Sequence, residues 1–342
     1  MGLLPTQIAN FAVTYKCNSK CLNCNIWQKP INRNELTLKE IKLFLQNNSN
    51  LLKKVKSIQL TGGEPFLRDD LPSIIKTINY SNPKCSIWIP TNALVPNRIS
   101  YMVKQIIQWE ITLGISVSVD GIGKINDIQR GITGSYKKAL KTIKNLSDIR
   151  KSYQNLKLSI GFTLSPNNFN EVTKVQELAN EYDFDFSLRP VNISQIYYEN
   201  EGRIFYDHEV KKILKNVSNS TIKRKGWLRS LTFLAYVRGI PRFLKDPKDR
   251  PINCSAGTRS FFLDPYGNIY PCIVFNRKMG NIREKNFTEI WYSQEAEEIR
   301  REIYEKKCPG CWLECETFRD IINDEKYLAE TFLNTALKGS PF

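Results

Sequence analysis

The sequence predicts an α/β protein: a partial (β/α)6 barrel of the TIM type, followed by a smaller α+β region toward the C-terminal end. Three observations predict it. From about residue 6 to 190, six short runs rich in β-branched and aromatic residues alternate with amphipathic stretches. Such alternation implies a parallel sheet with right-handed crossovers, and six βα units fit a barrel that stops short of closure. Beyond residue 254 the pattern changes to a hairpin signature among closely spaced cysteines.

The predicted strands are 8–15, 55–61, 85–90, 112–118, 156–164 and 184–190. Between them, Thr37 and Glu40 form a capping-box pattern that opens a helix. Further helices are predicted near 71–80, 97–109, 135–146 and 168–182, the last capped by Asn168. Residues 191–253 read as a helical connection. Their apolar run, 227–237, is too short and too charged at its flanks to span a bilayer. It is expected to pack across the barrel. The alternative is membrane-surface contact, since Lys223, Arg224, Lys225, Arg229, Arg238 and Arg242 surround it. The three regions are therefore 1–190, 191–253 and 254–342.

With 342 residues, 41% hydrophobic and 25% charged, the chain has the composition of a soluble globular protein with ample core. The N-terminal stretch has neither a basic leader nor a cleavage site, and the expected location is cytoplasmic. Met1-Gly2 with Thr6 formally fits a myristoylation pattern, one short enough to recur by chance. A net charge of +16 admits a nucleic-acid partner. The basic residues are spread along the whole chain, which favours solvated charge instead.

Eight of the nine cysteines cluster, the usage of a metal protein in a reducing compartment rather than of a disulfide scaffold. The ninth, Cys85, falls in a predicted strand and reads as core. Cys17, Cys21 and Cys24 stand at C-x-x-x-C-x-x-C spacing directly after the first strand. In a TIM-like barrel the active site lies at that end of the strands. Three thiolates on a short loop can hold a [4Fe–4S] cluster and leave one iron without a protein ligand. A structural zinc site needs a fourth ligand, and the sole histidine, His208, is far downstream. Three free cysteines are the non-metal alternative.

This loop resembles the cluster loop of the radical S-adenosylmethionine (SAM) superfamily, although the position before the last cysteine, often aromatic there, is Asn23. The resemblance implies that the open iron chelates SAM and that an electron cleaves it to a 5′-deoxyadenosyl radical, which abstracts hydrogen from a substrate. Thr61-Gly62-Gly63-Glu64-Pro65 is similar to the family's Gly-Gly-Glu motif, which implies that Gly62, Gly63 and Glu64 hold the SAM amino group. Asn92 ends the third strand in a Thr-Asn turn of the family kind. Ser118 and Asp120 fall in the segment that lines the SAM ribose. Arg130-Gly131 with Gly134-Ser135 then opens a helix. Ser165 and Asn168 are expected near SAM, and Arg189 as partner of its carboxylate.

The second cluster opens at Cys254. Residues 261–272 read as a hairpin with its turn at 264–268, returning Cys272 beside Cys254. A helix near 288–306 precedes Cys308, Cys311 and Cys315. The order resembles the SPASM and twitch extensions of radical SAM enzymes, through Gly267-x-x-x-x-Cys272 in particular. Five cysteines imply one auxiliary [4Fe–4S] cluster, with Cys254, Cys272, Cys308 and Cys311 as ligands and Cys315 able to replace one of the last two. A zinc ribbon is the alternative. Expected partners are a reductant such as flavodoxin or ferredoxin and an unidentified small molecule, sugar or peptide. The alternatives are peptide maturation and a non-catalytic iron–sulfur or zinc protein that binds nucleic acid.

Overall fold

The computed structural model describes residues 7–30, 34–200 and 208–342. The myristoylation pattern at Met1, Gly2 and Thr6 lies outside them. Six parallel strands form the body: β1 (Ile8–Thr14), β2 (Ser57–Gly62), β3 (Ser86–Thr91), β4 (Leu113–Ser118), β5 (Leu156–Leu164) and β6 (Asp185–Pro190). They pair strictly in chain order. All six predicted strands are present, each within two residues of its expected ends.

The helices between them are α1 (Leu38–Asn47), α2 (Ser49–Leu52), α3 (Leu71–Ser81), α4 (Pro96–Ile107), α5 (Lys124–Arg130), α6 (Ser135–Arg150) and α7 (Val172–Glu181). Thr37 and Glu40 cap α1 reciprocally, as the sequence implied. In α3, Leu71, Ile74, Ile75 and Ile78 recur at helical spacing and are buried. Full burial of such side chains stabilises by about 1.5–3 kcal/mol each. Arg130 differs from expectation. It ends α5, with Gly131 as its cap in the left-handed conformation, while Gly134-Ser135 opens α6 as expected.

The strands alternate strongly. Ile58, Leu60, Ile87, Ile89, Ile115, Val117, Leu158, Ile160 and Phe162 are buried in the hydrophobic core. The intervening positions, Trp88 apart, are mostly polar or small, and Gln59, Thr61, Pro90, Ser118, Thr163 and Arg189 line a cavity inside the sheet. Parallel strands buried on both faces are usually continuous apolar runs. Here the inner face borders a cavity rather than a packed core, and the alternation records it.

Two helices, α8 (His208–Lys225) and α9 (Trp227–Lys245), follow β6. Helix α9 buries Leu234, Tyr236, Val237, Ile240 and Phe243, the packing role expected for this run. Among the described residues no helix is long and apolar enough to cross a membrane. The hairpin is present as β7 (Ser260–Leu263) and β8 (Asn268–Tyr270), with β9 (Gly280–Asn281) beyond it. It does not form a free-standing sheet. Strand β7 pairs parallel to β1 and extends the barrel sheet, and the rings of Phe11 and Phe261 lie 5.8 Å apart across this junction. The predicted single helix near 288–306 is two, α10 (Phe287–Trp291) and α11 (Gln294–Tyr304), because Ser293 caps the second. Helices α12 (Glu314–Ile322) and α13 (Glu325–Lys338) end the chain.

Candidate active site

The cysteine loop leaves β1 at Thr14 and is tied down at three places. Tyr15 N donates to Glu35 Oε1 at 2.7 Å. Lys20 N and Leu22 N each donate, at 3.0 Å, to the carbonyls of Arg130 and Gln129 at the end of α5. Asn25 N donates to the Tyr198 carbonyl at 2.7 Å. Gly131 has φ +63°, and a Cβ there would meet the Lys20 carbonyl oxygen at 2.1 Å, so this contact requires glycine. The loop thereby turns Cys17, Cys21 and Cys24 onto the cavity inside the barrel.

Donors face the sulfurs. Asn92 Nδ2 lies 3.8 Å from Cys17 Sγ, and Arg130 Nη1 lies 3.7 Å from Cys21 Sγ. Burial pushes the Cys17 thiol up to about 11 and the Cys24 thiol up to about 12. These groups hold their protons until a metal displaces them.

The other predicted residues divide. Gly62, Gly63, Asn92, Ser118, Asp120 and Arg189 line the cavity; Glu64, Ser165 and Asn168 do not. Glu64 is fully buried and turned away. It accepts from Phe66 N at 3.1 Å, Thr91 Oγ1 at 3.0 Å and Asn92 N at 2.7 Å. Its carboxylate locks the end of β3 to the Gly-Gly turn. Ser165 and Asn168 are also inward. Asn168 Oδ1 accepts from Ser165 N and Oγ, while its Nδ2 donates to the carbonyls of Asp120 and Thr163. Asn168 therefore staples the ends of β4 and β5 and makes no capping bond to the helix that follows. Asp120 pairs with Arg130 at 2.8 Å and accepts from Thr163 N at 2.7 Å. Arg189 Nε has no hydrogen-bond partner, and a Glu314 carboxylate oxygen lies 3.9 Å away.

A second cavity lies in the C-terminal region. Cys254, Cys272, Cys308 and Cys311 all line it, together with Arg250. Val274 N and Phe275 N each point at Cys272 Sγ at 3.4 Å, and Arg250 Nη1 lies 3.8 Å from Cys311 Sγ. Arg250 is itself anchored to Asp320 at 2.6 Å, with side chains only 9% and 4% exposed. Cys315 departs from its four neighbours and lines the barrel cavity instead. Cys85 is buried, as expected.

A model of the radical SAM superfamily matches residues 11–179. A model of the SPASM iron–sulfur cluster-binding domain matches residues 254–312. The chain belongs to the radical SAM superfamily and carries a SPASM-type auxiliary region. It is 27% identical over 333 residues to an AdoMet-dependent heme synthase of Methanosarcina barkeri (strain Fusaro / DSM 804), covering 90% of this chain and 91% of that protein. It is 23% identical over 332 residues to the antilisterial bacteriocin subtilosin biosynthesis protein AlbA of Bacillus subtilis (strain 168), covering 89% and 67%. Its fold is that of Streptococcus suis SuiB bound to S-adenosylmethionine. There the TM-score is 0.63 at 17% identity, over 85% of this chain and 67% of that one. SuiB has also been solved with its precursor peptide SuiA.

As a radical SAM enzyme the chain takes SAM, a [4Fe–4S] cluster and auxiliary iron–sulfur, and its residues fit these groups. The three thiols of the loop, with Cys315, border a cavity that also holds unpartnered buried polar atoms of Arg130, Arg189 and Gln129. Four thiols and an arginine border the other. Among the described residues no three cysteine, histidine or carboxylate groups converge as the ligands of a single ion do.

Several cavity residues carried no sequence signal. Tyr197 and Tyr198 come from the connection after β6. Tyr197 Oη donates to the Gly62 carbonyl at 2.9 Å, and its hydroxyl lies 2.6 Å from Thr61 Oγ1. Glu314 reaches in from α12 and accepts from Ser187 Oγ. Its neighbour Cys315 was visible as a cysteine, but spacing alone could not show which cavity it faces.

Proposed function

We propose that the Cys17, Cys21 and Cys24 thiolates hold the SAM-binding cluster and that Cys254, Cys272, Cys308 and Cys311 hold one auxiliary cluster. The carrying observation is the division of cysteines between two cavities, three in the barrel loop and four in the C-terminal region. When bound, the first cluster supplies the electron that cleaves SAM, and hence the radical that removes a substrate hydrogen.

The chain's own residues bind and orient. Gly62 and Gly63 bring backbone to the cavity wall: a Cβ on Gly63 would meet the Lys16 carbonyl oxygen at 2.2 Å. Ser118, Asp120 and Asn92 present polar groups beside the cysteine loop, with Glu64 and Asn168 as positioning residues behind them. Arg189, whose Nε makes no hydrogen bond and whose ion pair with Glu314 is long at 3.9 Å, is the cationic group for a SAM carboxylate. The connection at 191–200 excludes water, because Tyr197 bridges the Gly-Gly turn and Asn25 binds the Tyr198 carbonyl. Regions 1–190, 191–253 and 254–342 would then serve as catalytic barrel, cover and electron-transfer module.

The substrate is a polar molecule, since Asn10, Gln59 and Gln129 offer amides to the cavity. A peptide substrate is a second reading, favoured by the similarity to AlbA and by the SuiB fold. The reductant is a flavodoxin- or ferredoxin-type carrier in the cytoplasm, and the +16 charge would steer an acidic one. Anaerobic reconstitution tests the assignment. The protein should hold about eight irons, two cubanes of four. Cys272→Ala should lose about four of them and still bind SAM. Bound zinc and about four irons in the unsubstituted protein would contradict the auxiliary cluster.

A further inference from the structure

We propose that Cys315 is no ligand of the auxiliary cluster but the hydrogen-atom donor of the catalytic cavity, an inference that rests on the cluster assignment above. A cubane with four protein ligands is complete with Cys254, Cys272, Cys308 and Cys311, which share one cavity. Cys315 lines the other, with Cys17, Cys21 and Cys24. The SPASM match also ends at residue 312, short of it.

Its placement is fixed rather than incidental. Cys315 lies in the first turn of α12, directly after Glu314, which is bound by Ser187 of β6. On the preceding side Trp312 is fully buried. Its N donates to Asn192 Oδ1 and its Nε1 to the Tyr236 carbonyl, each at 2.9 Å. The helix start is thus pinned to the barrel from both sides.

The cavity is built for a ligand beside it. Gln129 is 2% exposed, lines the cavity, and has neither amide atom hydrogen-bonded. Asn10, 1% exposed, has an unpartnered Nδ2 there. Buried polar groups are seldom left unpaired, and two lining one cavity mark where a polar substrate binds.

Burial raises the Cys315 thiol well above its ordinary value, so it is S–H at neutral pH. Its S–H bond is weaker than an aliphatic C–H bond, so a carbon radical takes the hydrogen downhill. In that step the Cys315 S–H bond breaks, a substrate C–H bond forms, and the sulfur is left as a thiyl radical. One electron from a reduced iron–sulfur or flavin donor and one proton from solvent restore the thiol. The substrate carbon regains one hydrogen, and the reaction is redox-neutral at the substrate: an inversion, or a rearrangement quenched at carbon.

Two measurements test this without a known substrate. In reconstituted enzyme, Cys315→Ala should keep the wild-type iron content while Cys272→Ala loses about half, and iodoacetamide should label Cys315 ahead of the other four C-terminal cysteines. Equal iron loss in the two variants would overturn the proposal. The second measurement uses SAM and titanium(III) citrate in D2O, where Cys315 carries S–D. The 5′-deoxyadenosine made without substrate should contain a fraction with one deuterium. That fraction should fall several-fold in Cys315→Ala and equally in Cys315→Ser, which keeps the side-chain size but has too strong an O–H bond. An unchanged deuterated fraction in both variants would also overturn it. If the wild type makes no 5′-deoxyadenosine at all, the parent assignment fails, and this one with it.

Discussion

Glu64 carries the main lesson at the scale of the residue. The Gly-Gly-Glu-Pro pattern marks a turn where backbone approaches closely, and the 2.2 Å Gly63 contact agrees. No pattern tells which way the carboxylate points. It points into the protein, onto three donors from two segments. Replacing it with glutamine puts an NH2 against groups that need an acceptor. Glu64→Gln should cost roughly 1–3 kcal/mol, read from urea midpoints, with SAM affinity reduced only through the displaced Asn92. Burial raises the Glu64 carboxyl from 4.5 to about 7. A carboxyl with a folded pKa above its unfolded value contributes stability that is complete below about pH 4.5 and lost as pH rises through 7. The wild type should therefore lose stability between pH 5 and pH 8 by up to about 3 kcal/mol relative to Glu64→Gln. Parallel pH profiles of the two proteins would show Glu64 ionised at no cost.

At the scale of the element, the strands, the capping box and the hairpin were legible because each is written in consecutive residues. The pairing of β7 with β1 was not, since more than two hundred residues separate Ile8 from Ser260 and register is set by packing, here Phe11 against Phe261. The segment 191–253 was legible only as a helical connection with one packing run. Its functional tyrosines sit in irregular chain, and only the buried face of α9 shows what that helix is for. Gly239 on α9 is the tightest point of this contact: a Cβ there would meet the Trp312 ring at 2.0 Å. Tyr236 and Trp312 exchange two hydrogen bonds nearby, at 3.0 and 2.9 Å. Gly239→Ala should destabilise by about 1–3 kcal/mol through overpacking. It should also loosen the start of α12, seen as faster hydrogen exchange at residues 313–316. An alanine variant with wild-type midpoint and exchange would show that Trp312 moves freely.

At the scale of the whole molecule, the chain places two groups of thiols on two cavities and joins them through the short stretch from Cys311 to Cys315. The three-cysteine loop was legible because its spacing states its chemistry. The split of the last five cysteines was not, because helical geometry rather than spacing decides that Cys315 faces the barrel. The two groups are held by different elements, the loop by α5 and the 191–200 connection, the C-terminal four by Arg250, Asp320 and α12. Their losses should therefore be separable. The most direct test of the account is reductive SAM cleavage by the reconstituted Cys17→Ala, Cys21→Ala, Cys24→Ala triple variant. It should make no 5′-deoxyadenosine above background while retaining about four irons. A triple variant that cleaves SAM at the wild-type rate would contradict the assignment of the barrel cavity.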